Sequence, residues 1–193
     1  MAAYKAMIET PPLVARAMAL AERMAFTQSC WPEVGRLLAV LAGSVPAGVI
    51  GEIGTGCGVG AAWMAGALSP DARLITVELD ATRAEAAREL LAQAPGVQAL
   101  HGDWHEILAH GPFDMLFADG GQAKQHEPEV LLEALRPGGL IVLDDLWPEG
   151  CEPPESRGKP DSVREFWLDE PRLTATEVLT GPRMAVIVAT RIG

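Results

Sequence analysis

Apolar residues recur at helical spacing near the start of the chain. Leu13, Val14, Ala17, Met18, Leu20, Ala21 and Met24 follow Pro11-Pro12 in an amphipathic pattern. Proline suits a helix's first turn, where its missing N–H would go unpaired anyway. A second helix is predicted from about Trp31 to Leu41, capped by Ser29 or Cys30, with Pro32 near its first turn and Gly43 as its stop. From residue 45 the period changes. Short, mostly apolar runs at 49–53, 74–77, 97–100, 115–117 and 140–143 read as strands, 74–77 being β-branched as well. Helical stretches at about 59–68, 81–93 and 130–135 separate them, the last closed by Pro137-Gly138-Gly139.

Alternating strands and helices predict an α/β fold, a doubly wound and mostly parallel sheet with helices on both faces. The end of the chain breaks the alternation. After a helix at about 161–168, two strand-like runs, 173–179 and 184–189, are joined by Thr180-Gly181-Pro182-Arg183. That reads as an antiparallel hairpin, and the wholly apolar Met184–Ala189 belongs inside the sheet. The seven strands are preceded by two helices, so the chain divides into a helical segment 1–44 and an α/β core 45–193. The Pro-rich stretch 147–160 is either a surface connection or a lid.

Length and charge narrow this further. The 193 residues suffice for one domain with a full core. Fifteen basic residues against 26 acidic ones give a net charge of -11, which disfavours nucleic acid and anionic membranes as partners. Cys30, Cys57 and Cys151 are widely spaced and form no C-x-x-C pair, so free thiols in a reducing cytosol are expected. No apolar stretch is long enough to span a bilayer, and residues 1–10 lack a signal-peptide core, so the expected location is cytoplasmic. The apolar side of the first helix either packs on its own sheet or makes a homodimer.

The densest chemical signal is Gly51-Glu52-Ile53-Gly54-Thr55-Gly56-Cys57-Gly58-Val59-Gly60, between a strand and a helix. Glycines there permit positive φ and close approach of a ligand, at the first crevice of a doubly wound sheet. Gly56-x-Gly58-x-x-Ala61 also fits the dinucleotide fingerprint, which leaves an NAD-dependent oxidoreductase open. Glu78 ends the second strand, where an acid binds ribose hydroxyls. Glu52 places a carboxylate in the crevice that suits a cationic ligand group better than a pyrophosphate; the alternative is a partner for a nearby backbone N–H. Asp119, Asp144 and Asp145 follow strands four and five and converge on the same crevice.

Glu52-x-Gly54-x-Gly56-x-Gly58, Val77-Glu78-Leu79-Asp80, Phe113-Asp114-Met115-Leu116-Phe117-Ala118-Asp119 and Leu135-Arg136-Pro137-Gly138-Gly139 through Asp144-Asp145 together resemble the class I S-adenosylmethionine (SAM)-dependent methyltransferases. The similarity is greatest to the small-molecule O-methyltransferases of the catechol and caffeoyl-CoA type. It covers about residues 45–146. The resemblance implies one Rossmann-like methyltransferase domain that binds SAM through Glu52, Gly54, Thr55, Gly56, Gly58, Gly60, Glu78, Leu79, Asp103, Trp104 and Asp119. Asp103 and Trp104 would hold the adenine, with an Asp103 helix cap as the alternative. The resemblance further implies a divalent cation, Mg²⁺ or Ca²⁺, on Asp119, Asp144 and Asp145, and a small hydroxylated acceptor. Asp145 stands where catechol methyltransferases carry Asn. Their catalytic Lys lies three positions after the first Asp; here Lys124 lies five after, as a candidate base or a solvated loop lysine. Asp119 and Lys124 are thus the candidate catalytic residues. A SAM-binding protein without turnover is the remaining alternative.

Overall fold

The computed structural model describes residues 9–148, 150–153 and 158–193. Part of the 147–160 connection, and most of the segment before the first helix, therefore lie outside the described residues. Helices α1 (Pro12–Arg23) and α2 (Pro32–Gly43) lead into β1 (Ala47–Ile53), α3 (Val59–Ala65), β2 (Asp71–Glu78), α4 (Ala81–Leu91) and β3 (Val97–His101). A 3₁₀ helix (Trp104–His110), β4 (Phe113–Ala118), α5 (Gly121–His126), α6 (Pro128–Ala134), β5 (Leu135–Leu146), α7 (Ser162–Asp169), β6 (Leu173–Gly181) and β7 (Met184–Arg191) complete the order.

The strands form one seven-stranded sheet in the order β3-β2-β1-β4-β5-β7-β6. Strands β1 to β5 run parallel to their neighbours, while β7 is antiparallel to both β5 and β6. The terminal hairpin therefore enters the sheet as its pattern predicts. Alternate β7 residues serve opposite faces: Ala185, Ile187 and Ala189 join one core, and Val186 joins the other. The first core is closed by Ile107, Leu131, Leu132 and Trp167, the second by Leu38 of α2 and Met64 of α3. Strands covered on both sides need no polar alternation, which is why these runs are apolar throughout.

Several local expectations shift. Trp31, not Ser29 or Cys30, is the N-cap of α2, and it makes no side-chain cap bond. Helix α3 stops at Ala65 rather than Leu68, because Gly66 follows. Pro137-Gly138-Gly139 lies within β5 instead of ending a helix; there the register slips from Phe113↔Leu135 to Met115↔Leu140. Lys124, for which a loop position is one expectation, lies on a six-residue helix, Gly121–His126.

Helix α2 reaches α3 through a glycine. An added Cβ at Gly35 would lie 2.1 Å from the Trp63 ring. Gly35→Ala is expected to lower unfolding stability by about 1–3 kcal/mol through overpacking. Urea unfolding measures this, and a variant as stable as the parent contradicts the packing described.

Candidate functional site

Sheet order reverses between β1 and β4, the place where open α/β sheets bind ligands beyond their strand ends. The strand ends meet there through the backbone. Gly54 and Thr55 N–H donate to the Val77 carbonyl at 3.0 and 3.1 Å, and Asp119 and Gly120 N–H donate to that of Ile53 at 3.1 and 3.0 Å. The chain can turn so sharply because Gly54 (φ 92°) and Gly56 (φ 54°) adopt the left-handed region.

Glu78 closes one side of this turn. Its Oε2 accepts from Gly56 N at 2.8 Å, and its Oε1 accepts from Asp80 N at 2.9 Å and from Arg83 Nη2 at 2.8 Å. Glu52 lies beneath the turn, 1% exposed, and does not line the cavity above. Thr76 Oγ1 donates to its Oε2 at 2.5 Å, and the hydroxyls of Thr76 and Thr55 are 2.5 Å apart. The partner found for the Glu52 carboxyl is thus a threonine hydroxyl, and Gly60 packs against it: a Cβ there would sit 2.3 Å from Glu52 Oε1.

Burial pushes the Glu52 carboxyl up to about 8, against the Thr76 hydrogen bond, which lowers it; Asp144 and Glu78 add to the rise. The unfolded chain ionises this group near 4.5. Between those values the folded protein holds the extra proton, so stability falls as pH rises through them. Glu52→Gln, a neutral isostere, is expected to match the parent near pH 5 and to exceed it at pH 8 by on the order of 2–4 kcal/mol. Urea unfolding at both pH values checks this, and an unchanged pH slope contradicts it.

Asp119, Asp144 and Asp145 converge as their positions after β4 and in β5 predict. Among the described residues they form a group whose carboxylate oxygens lie within 4.8 Å of one another. Asp145 has φ 60°, unusual for a residue with a side chain, and its side chain is 64% exposed. Asp144 is buried. Desolvation raises the Asp119 carboxyl well above its ordinary range, with Asp144 and Asp145 adding to the rise. Burial also raises Asp144, to about 6, while Lys124 pulls it down.

Lys124 is not a solvated loop lysine. It is 4% exposed, with Nζ donating to the Asp144 carbonyl at 2.8 Å, to Asp144 Oδ1 at 3.3 Å and to the Asp119 carbonyl at 3.3 Å. Asp145 Oδ2 lies 3.6 Å away. The short helix α5 turns this side chain inward. Gln122, three residues after Asp119, is exposed.

A cavity of about 570 Å³ covers the glycine turn. Gly54, Thr55, Gly56, Gly60, Glu78, Asp119, Asp144 and Asp145 contribute to its wall; Gly58, Leu79, Asp103 and Trp104 do not. Leu79 is 71% exposed. Asp103 accepts from His105 N at 3.0 Å, which is the helix-cap alternative, and Trp104 stacks on the His105 ring with centroids 3.8 Å apart. The opposite wall is the strap Phe26–Trp31, which pattern reading missed because no periodicity marks a connection between two helices. Cys30 and Cys57 also face this cavity, with thiols raised by burial, Cys30 well above the ordinary value. A second cavity, of about 900 Å³, is lined by Leu146, Trp147, Val163 and Leu168 and shares Gly121 and Asp145 with the first. Trp167 lies fully in the core, and no helix is long and apolar enough to cross a membrane among the described residues.

A family model described as a methyltransferase domain matches residues 52–146. A catechol O-methyltransferase of Niastella koreensis is 36% identical over 152 residues, 74% of this chain and 69% of that one. A catechol O-methyltransferase of Mycobacterium tuberculosis is 34% identical over 121 residues, 58% of this chain; the chain spans 54% of that relative's length, as it spans about half of others it matches. Among solved structures, the O-methyltransferase TomG from Streptomyces achromogenes, involved in tomaymycin synthesis and bound to SAM, superposes with a TM-score of 0.79 at 26% identity, covering 97% of this chain and 92% of that one. The O-methyltransferase from Bacillus cereus in complex with SAH shares the fold, with a TM-score of 0.80 at 24% identity over 96% of this chain and 93% of that one.

Proposed function

The chain belongs to the class I SAM-dependent O-methyltransferase family, and on that premise we propose that it transfers a methyl group from SAM to a hydroxyl of a small, catechol-like acceptor, with a divalent cation at the Asp119–Asp144–Asp145 cluster. The observation that carries this reading is the position of that cluster: all three aspartates line the first cavity, and Asp145 also lines the second. Donor and acceptor can then occupy separate chambers and meet at Asp145.

The residues present suit the cation. Three carboxylates face one ammonium, Lys124, and no basic side chain pairs with the Asp119 carboxylate among the described residues. A divalent ion balances the remaining charge, and hard oxygen donors of this kind suit Mg²⁺ or Ca²⁺. When bound, such an ion lowers the pKa of an acceptor hydroxyl towards neutrality.

The chain's own groups do the rest by placement. Glu78 offers its carboxylate to the ribose diol, and the glycine turn, without side chains, lets the donor approach the chain's backbone closely. Lys124 fixes Asp144 and Asp145 relative to Asp119; with its protons given to two carbonyls and a carboxylate, it acts as a positioning residue and not as the base. The sulfonium is already activated, so alignment of oxygen and methyl carries much of the rate. Leu146, Trp147 and Leu168 give one apolar face to an otherwise largely polar and charged chamber, which suits an aromatic acceptor that carries hydroxyls.

Titration calorimetry with SAM and with NAD, with and without Mg²⁺, tests the reading. SAM binding without NAD binding is expected. NAD binding without SAM binding overturns it in favour of an oxidoreductase.

A further inference from the structure

The aromatic ring of Phe26, in the wall of the donor cavity, meets the guanidinium of Arg83. Phe26 starts the strap Phe26–Trp31, all of which lines the cavity opposite the glycine turn. Its ring lies on Gly56, where an added Cβ would meet Phe26 Cε1 at 2.8 Å. Arg83 covers the ring from another side, with Cζ 5.0 Å from the centroid. The same guanidinium gives Nε at 3.2 Å and Nη2 at 2.8 Å to Glu78 Oε1. The other Glu78 oxygen takes Gly56 N–H. Ring, guanidinium, carboxylate and glycine turn thus form a closed circuit.

The anchoring of this circuit is local. Asp80 caps α4 by accepting from Arg83 N at 2.8 Å, which fixes where the Arg83 side chain starts. A guanidinium presents a rigid planar fork; both of its donors hold Oε1 while Gly56 N–H holds Oε2, so the two ends of the Glu78 carboxylate are fixed together. Its flat face remains free to stack on an aromatic ring. A lysine at this position would supply the charge without the plane.

We propose that Arg83 is a positioning residue for the methyl donor: it aims the Glu78 carboxylate into the cavity and, by its contact with Phe26, latches the strap over the bound donor. This rests on the reading that SAM occupies the cavity. Arg83 touches no reacting atom. It lowers the freedom of the carboxylate that receives the donor and slows the donor's exit beneath the strap.

The test is SAM binding to the full chain by calorimetry, together with SAM dissociation by stopped flow, for the parent, Arg83→Met, Arg83→Lys, Phe26→Leu and the Phe26→Leu/Arg83→Met double variant. Arg83→Met is expected to weaken SAM at least about tenfold, the size of one charge-assisted hydrogen bond. Arg83→Lys should recover part of that loss, through charge alone. Phe26→Leu should speed dissociation about threefold to fivefold, the size of a modest cation–π contact, with the association rate unchanged. The double variant should be weaker than Arg83→Met by less than about twofold, because both changes open one latch. Phe26→Leu leaves the ion pair in place and carries the test by itself if Arg83→Met does not fold. Variants that bind and release SAM as the parent does, or single effects that simply add, overturn the latch. A parent chain that binds no SAM overturns instead the reading on which it rests.

Discussion

Asp144→Ala is expected to lower methyl transfer to a catechol by on the order of 10³-fold while SAM binding stays within severalfold. The carboxylate lies between three other charged groups. Asp119 and Asp145 share its cluster, and Lys124 holds it at 3.3 Å from a position with almost no solvent. Its loss removes a hard oxygen donor from the proposed cation site. It also leaves a buried ammonium with two carbonyls and the more distant Asp145 as partners. Asp144→Asn keeps the volume and serves as the gentler companion, so that a failure to fold is not mistaken for a failure to turn over. Turnover assays with the Mg²⁺ concentration varied make the measurement. A variant with parental turnover at every Mg²⁺ concentration contradicts a cation at this cluster.

Glu78→Ala is the second large effect. Each hydrogen bond between a carboxylate and a ribose hydroxyl contributes about 1.5–3 kcal/mol, so losing the group should weaken SAM on the order of 10²-fold or more. Gly56 N–H and the Arg83 fork lose their partner at the same time, which loosens the turn. Calorimetry should therefore show weakened binding of both SAM and its demethylated product, since both carry the ribose. Parental affinity in Glu78→Ala would place the ribose elsewhere.

The sheet was legible because apolar runs such as Leu74–Val77 and Leu140–Leu143 alternate with helical stretches, and because β7 is apolar on both faces. Local periodicity reports such burial directly. The glycine turn, Glu78 and the three aspartates were legible for a related reason: a parallel sheet brings the ends of β1, β2, β4 and β5 to one edge. The fates of individual side chains were not. Glu52 and Glu78 flank the same turn, yet one is buried beneath it and the other lines the cavity. Strand alternation distinguishes faces, and both residues lie at strand ends, where the turn and not the pleat decides. Lys124 could not be placed because its inward path depends on the six-residue helix α5, too short for periodicity to reveal. Phe26 and Arg83 are 57 positions apart, and only the packed tertiary structure brings a loop aromatic over a helix arginine.

The central claim is that a methyl group passes from SAM to a catechol-like oxygen between two cavities that meet at Asp145. The most direct measurement is incubation of the purified chain with SAM labelled with ¹³C on its methyl group, catechol and Mg²⁺, followed by NMR of the small molecules. A new ¹³C resonance of an aromatic methoxy group is expected, lost on addition of EDTA and lost in Asp144→Ala. A chain that binds SAM but leaves the label on sulfur across a panel of catechols and phenols would contradict it.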